Sequence, residues 1–203
     1  MSKTINLTEH DALLITDIQN DFLPRGALPV ANGNKIIIVI NDYISRFEAA
    51  KAHIIASRDW HPSNHSSFIN QGGPWPIHCV QETEGAKFSP LLKLPNNTKV
   101  ISKAIDPEHE AYSAFDGTNL NNELQHLGVT RLFVVGLATD YCVVKTVLDA
   151  RQLGFHVVVL MDATLGINVG QGDVDLAVAA MIKSGAAQAT VADFAESETA
   201  LSV

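Results

Sequence analysis

Cysteine is scarce in this chain: Cys79 and Cys142 are the only two among 203 residues, 63 positions apart. Two cannot build a disulfide scaffold and fit a reducing compartment, which leaves at least one free for chemistry. A long basic cluster is missing too. Lys and Arg total 14 against 22 Asp and Glu, a formal charge of −8, so the chain lacks the footprint of a nucleic-acid partner. No apolar stretch reaches the roughly 18 residues of a membrane span, and the opening segment MSKTINLTEHD has no signal-like apolar core. The reading is a cytoplasmic protein with no membrane partner. Aromatics make up 6% and charged residues 18%, against 46% apolar content spread along the chain, which fits neither a disordered tail nor a coiled coil. That material suffices for one buried core, and residues 1–203 are read as a single domain without repeats.

Short β-like runs alternate with longer helical ones, the pattern of an α/β fold: a mostly parallel open sheet of about six strands with helices on both faces. Residues 12–18, 53–57, 98–102, 131–136, 156–161 and 187–191 read as strands. Asn32 is placed to cap a helix running to about Ala52, whose apolar face is Ile36, Ile37, Ile40, Tyr43, Ile44 and Phe47. Further helices are expected at 120–127, at 141–153 and near 173–184, stopped by Gly128, Gly154 and Gly185, with a short helix after the last strand. Residues 58–97 break the rhythm: they hold five of the eight prolines and no periodic segment. A loop this long in a compact domain is usually functional.

In open parallel sheets, ligands sit beyond the carboxyl ends of the strands. At those ends stand Asp17, the pair Asp59 and His61, Lys103, and a turn that finishes on Cys142. Asp59 and His61 are two apart, so an extended segment turns both to one side, and His78 could join them. Two imidazoles and a carboxylate suit a catalytic zinc or a non-haem iron, and manganese is compatible. The alternative is an exposed loop whose histidines only hydrogen-bond. Cys142, near a helix N-terminus and close to an ammonium, is expected to have a lowered pKa and to act as a nucleophile; the alternative is a buried thiol used as packing. Asp17 would be its base, or a loop cap. Gly170-Gln171-Gly172 lacks the third glycine of a dinucleotide fingerprint, and Ser66-Ser67 has no triad spacing, so neither is pursued.

Taken in order, D-I-Q-N-D-F from Asp17, D-W-H-P-S-N-H-S-S-F from Asp59, W-P-I-H-C-V from Trp75, Lys103, A-Y-S-A-F from Ala111 and G-L-A-T-D-Y-C-V from Gly136 resemble the nicotinamidase/pyrazinamidase group of the isochorismatase-like cysteine hydrolases over about residues 11–165. The resemblance implies an isochorismatase-like, Rossmann-like fold and a triad of Asp17, Lys103 and Cys142. It implies one divalent metal ion, zinc before iron or manganese, on Asp59, His61 and His78. It further implies a cis peptide at Leu137–Ala138 and an oxyanion hole from the backbone N–H groups of Ala138 and Cys142. Phe22 and Trp75 would sandwich a pyridine ring, with Tyr112, Leu137 and Tyr141 in the pocket wall. A fourth ligand position falls to His65 or Ser67; Ser67 through water is favoured because Pro62 should weaken the turn that brings His65 back. The stretch INQGGP at 69–74 is shorter than in many members, which suggests a more open pocket.

The reaction implied is nicotinamide plus water to nicotinate and ammonia through a thioester, with pyrazinamide as a further substrate and a homo-oligomer left open. The rivals are a metal-independent ureido or carbamoyl amide hydrolase of the same superfamily and a non-catalytic metal-binding or nucleotide-binding module. Isochorismatase activity itself is disfavoured, because it does not depend on a cysteine at the place of Cys142. Cys79 is assigned to packing.

Overall fold

The computed structural model describes residues 4–195. Six strands form one parallel sheet: β1 (Asp11–Thr16), β2 (His53–Asp59), β3 (Lys99–Lys103), β4 (Arg131–Leu137), β5 (His156–Leu165) and β6 (Ala187–Ala189), in the order β3-β2-β1-β4-β5-β6. The order reverses at β1, so the crevice expected of such a sheet lies between the ends of β1 and β4. Four helices cover it: α1 (Ile36–Ala49), α2 (Leu120–His126), α3 (Val144–Gln152) and α4 (Asp173–Lys183). Strand residues alternate between two cores. Leu13, Ile15, Phe133 and Val135 pack with α1, whose buried side chains are the six apolar residues expected from its spacing. Leu14, Leu132 and Val134 face the other way, onto Leu124 of α2, Val147 of α3 and Met181 of α4. Among the described residues, no helix is long and apolar enough to cross a membrane.

Several boundaries differ from the sequence reading for identifiable reasons. Asn32 does not cap α1. It takes a left-handed conformation (φ 61°) ahead of a 3-10 turn at Gly33–Lys35, and its side chain makes no cap bond. Helix α1 stops at Ala49 because Lys51 adopts φ 55° and the Ala52 N–H bonds back to the Phe47 carbonyl at 2.9 Å, a glycine-type stop without the glycine. Strand β5 runs on through Asp162, whose carboxylate is occupied by the Tyr43 hydroxyl at 2.8 Å and the Val191 N–H at 2.9 Å. Strand β6 ends early, since Thr190 and Asp193 form a capping box around a 3-10 turn, Val191–Asp193; the short helix expected to complete the chain falls largely on residues outside those described. Residues 139–143 are a π-helical turn that precedes α3 and is not part of it.

One close approach holds the two central strands in register. Gly136 has φ 114°, and a Cβ there would collide with the backbone of Thr16, its partner on β1. Gly136→Ala is therefore expected to cost about 3 kcal/mol, from left-handed strain and overpacking together. The shift of the urea midpoint measures it, and an unchanged midpoint would mean that the strands can part without penalty.

Candidate active site

The register places the site. Asp59 and Lys103 are direct partners at the ends of β2 and β3, and Asp17 follows β1 in a left-handed conformation (φ 52°). The turn after β4 begins with a cis peptide at Leu137–Ala138, as the resemblance implies, and carries Cys142. The Ala138 carbonyl accepts the N–H groups of Tyr141 and Val143 at 3.0 and 3.1 Å, which wraps the turn around it.

Lys103 is at the centre of this cluster, and its side chain is wholly buried. Its ammonium donates to Asp59 Oδ1, to the Ala111 carbonyl at 3.2 Å and to Cys142 Sγ at 3.4 Å. Those are its three protons. Asp17 Oδ2, 3.0 Å away, is held by charge without a hydrogen bond of its own, while Asp17 Oδ1 accepts the Ser57 hydroxyl at 2.7 Å. Oxygens of Asp17 and Asp59 and the Cys142 sulfur lie within 4.8 Å of one another, with the lysine's positive charge among them. Burial alone would lower the Lys103 pKa, yet the two carboxylates hold it well above the ordinary lysine range. Burial also pushes the Asp17 carboxyl up against the pull of Lys103. Asp59 is buried as well, but Lys103 and His61 outweigh that and keep it below the usual carboxylate value.

Cys142 departs from the sequence reading. Its thiol was expected to be acidified at a helix N-terminus, but burial pushes it well above its ordinary value, with Lys103 only opposing. Burial thus favours the protonated sulfur, and reaction calls for a proton acceptor beside it. Asp17 is placed for that.

The long loop closes on itself to complete a second cluster. His61 N–H bonds to the Cys79 carbonyl at 3.0 Å and Gln81 N–H to the His61 carbonyl at 2.9 Å, a parallel bridge that returns His78 to His61. His61 Nδ1 is 3.1 Å from the His78 carbonyl, and His78 Nδ1 is 2.7 Å from the Pro76 carbonyl. A carbonyl can only accept, so both Nδ1 atoms carry a proton, which in a neutral ring leaves the Nε2 lone pair for a metal, the way metal-binding histidines are oriented by a carbonyl behind them. Ligand atoms of Asp59, His61 and His78 fall within 4.8 Å of one another, all three residues are buried, and His61 Nε2 has no hydrogen-bond partner. An orphaned buried nitrogen facing a carboxylate and a second imidazole fits a divalent cation.

His65 comes closer than the sequence reading allowed. Pro62 begins the turn, where its missing N–H is not needed, and the His65 N–H reaches the Pro62 carbonyl at 3.1 Å. The His65 ring packs 4.4 Å from that of His61. Its Nε2 lies 3.2 Å from the His109 carbonyl and its Nδ1 2.7 Å from the Ser67 hydroxyl, so its lone pair is already engaged. INQGGP folds as a compact turn, with Trp75 N–H on the Ser67 carbonyl at 3.0 Å. Cys79 is buried in the core with no part in the pocket, as assigned.

Between the two clusters lies a cavity bordered by Asp59, His78, Ala138 and Cys142. Its apolar walls are Phe22, Trp75, Tyr112, Leu137 and Tyr141, all expected, and Leu28 and Ile167, which were not. Trp75 donates to the Tyr112 hydroxyl at 2.8 Å and meets Tyr141 edge-on at 5.1 Å. Glu110 also borders the cavity, with Oε1 3.9 Å from His61 Nε2; β3 ends at Lys103, and nothing in the sequence between them marks Glu110. Gln19 was missed as well: it is fully buried and brackets the Asp59 peptide, accepting its N–H and donating to its carbonyl, each at 2.8 Å. A glutamine two residues beyond Asp17 gives no local hint of that.

The sequence matches the Isochorismatase domain family over residues 11–193. It is 40% identical to the nicotinamidase of Escherichia coli K12 over 208 residues, covering 92% of this chain and 98% of that one. Among solved structures it is similar to the pyrazinamidase of Pyrococcus horikoshii in complex with zinc, with a TM-score of 0.86, 48% identity, and coverage of 89% of this chain and 99% of the other. PnC1 of L. infantum in complex with nicotinate superposes with a TM-score of 0.88 at 35% identity over 95% of this chain and 98% of its own.

Proposed function

This chain belongs to the isochorismatase family, and from that premise we propose that it hydrolyses nicotinamide to nicotinate and ammonia, with Asp17, Lys103 and Cys142 as the reacting set. The observation that carries the reading is a buried carboxylate–ammonium–thiol cluster opening onto an aromatic-walled cavity whose other side is a two-histidine, one-carboxylate group.

The chemistry follows from the geometry. Asp17 takes the proton from Cys142, and the Lys103 ammonium, 3.4 Å from the sulfur, stabilises the thiolate formed. The thiolate attacks the carboxamide carbon. Charge developing on the oxygen is met by the N–H groups of Ala138 and Cys142, worth about 3 kcal/mol per donor in comparable sites. Asp17 returns its proton to the departing nitrogen, which leaves as ammonia, and the acyl group remains as a thioester on Cys142. Water then attacks this thioester, again giving its proton to Asp17, and nicotinate is released with the thiol restored. Phe22 and Trp75 flank the ring, with Tyr112, Leu137 and Tyr141 completing the wall. Asp59, His61 and His78 would hold the metal ion, zinc in this reading, whose contribution when bound is a Lewis-acidic anchor for the pyridine nitrogen. Ser67, acting through water, is preferred as the fourth partner, because its hydroxyl oxygen keeps free lone pairs while the lone pair of the His65 ring is engaged by that hydroxyl. Pyrazinamide has the same ring-nitrogen and carboxamide pattern and is the second substrate.

The test is ammonia release from nicotinamide by untreated, chelated and zinc-restored protein. Activity that falls at least about tenfold on chelation and returns with zinc is expected, in line with the cost of disturbing such metal sites. Turnover that ignores chelation would favour the metal-independent ureido or carbamoyl hydrolase.

A further inference from the structure

The geometry points to Asp140 as a positioning residue that sets ring binding by strapping the β5–α4 connection to the nucleophile turn. This rests on the nicotinamide reading for its substrate, not for its geometry. Asp140 lies two residues before Cys142 in the π-helical turn, next to Tyr141, which forms one wall of the cavity. Its carboxylate turns away from the reacting cluster. Oδ1 accepts the N–H of Ile167 at 2.9 Å and Oδ2 that of Asn168 at 2.7 Å. Two backbone donors on one carboxylate make a charge-assisted, two-point clasp.

Ile167 is the residue of that connection that borders the cavity. One side chain therefore fixes the spacing between two walls, Tyr141 on its own turn and Ile167 across from it. The chain also passes the carboxylate closely: a Cβ on Gly166 would sit 2.8 Å from Asp140 Oδ1. Beyond the clasp the connection is tied to α4 independently. Asn168, at φ 55°, accepts the Val174 N–H at 3.0 Å, and Asp173 accepts the Gly170 N–H at 2.6 Å. Removing Asp140 would release Ile167 while leaving the far end of the segment anchored. Asp140 makes no hydrogen bond or ion pair with Asp17, Lys103 or the Cys142 sulfur, so bound substrate should still react.

Asp140→Ala is expected to raise KM for nicotinamide roughly tenfold, the loss of one to two hydrogen bonds' worth of wall placement, with kcat within about threefold. Asp140→Asn should fall between, since its oxygen still accepts one N–H, and it serves if the alanine variant does not fold. Ile167→Ala should raise KM in the same sense, and adding it to Asp140→Ala should add little, because both act through one wall. Asp173→Ala, which frees a neighbouring link without touching the clasp, should lower the melting temperature and leave KM unchanged. Amide exchange at Ile167 and Asn168, slow in wild type and fast in Asp140→Ala, reads the clasp whatever the substrate. A wild type inert towards nicotinamide defeats the functional reading alone. An unchanged KM in Asp140→Ala, a loss confined to kcat, additive double-variant effects, or exchange that stays slow overturns the role assigned to Asp140.

Discussion

Cys142→Ala eliminates turnover: kcat for ammonia release falls by at least about 10⁴-fold, the range seen when the nucleophile of a cooperating catalytic set is removed. The fold should persist. The change deletes one sulfur atom from a turn whose wrapping depends on the Ala138 carbonyl, and the Asp59, His61 and His78 cluster does not involve it. The variant should keep its circular dichroism and metal content, while mass spectrometry of quenched wild type finds an acyl adduct that the variant cannot form. Activity within tenfold of wild type would remove the thioester from the mechanism.

Asp17→Asn is the second large effect, with kcat expected to fall about 10²- to 10⁴-fold through loss of the general base. The buried thiol makes this demand severe, because burial holds its proton in place and nothing else near the sulfur combines a free acceptor oxygen with a raised affinity for that proton. The asparagine can still accept the Ser57 hydroxyl, but its amide group would face the Lys103 ammonium where Oδ2 now sits at 3.0 Å. Some loss of stability accompanies the substitution, since Lys103 keeps only Asp59 as a counter-charge. Single-turnover rates on protein shown to be folded separate the two effects. A folded variant with wild-type single-turnover rates would take Asp17 out of the proton path.

Much of this was legible in the chain because the information is local. The spacing from Ile36 to Phe47 gave the buried face of α1, and long apolar runs gave the four central strands, which are mostly buried; the border strands β3 and β6 are partly exposed and showed only as shorter β-like runs. Asp17, Asp59, Lys103 and Cys142 could be placed together because each stands at a strand end and parallel strands share one rim. What stayed hidden depends on contacts across sequence. Lys51 in a glycine conformation leaves no trace in composition, and Asp162 resembles a strand stop until Tyr43 and Val191 are seen to satisfy it. Gln19, Glu110 and Ile167 reach their positions only when distant segments close. The direction in which the Cys142 thiol is pushed was not legible because proximity to a helix start is visible in sequence, whereas burial strong enough to outweigh a neighbouring ammonium is not.

Strand β3 adds a consequence for where the molecule yields. It is a five-residue border strand, paired on one side only, and two of its residues are exposed. Such a strand is a natural place for sub-global opening. Yet it ends in Lys103, whose ammonium is bound to Asp59 on its neighbour, to Ala111 beyond and to the turn of β4. The proposed reacting cluster is thus also a rivet at one margin of the sheet. The proposed chemistry and the resistance to fraying rest on the same atoms, so replacing one of these charges would also loosen the border strand.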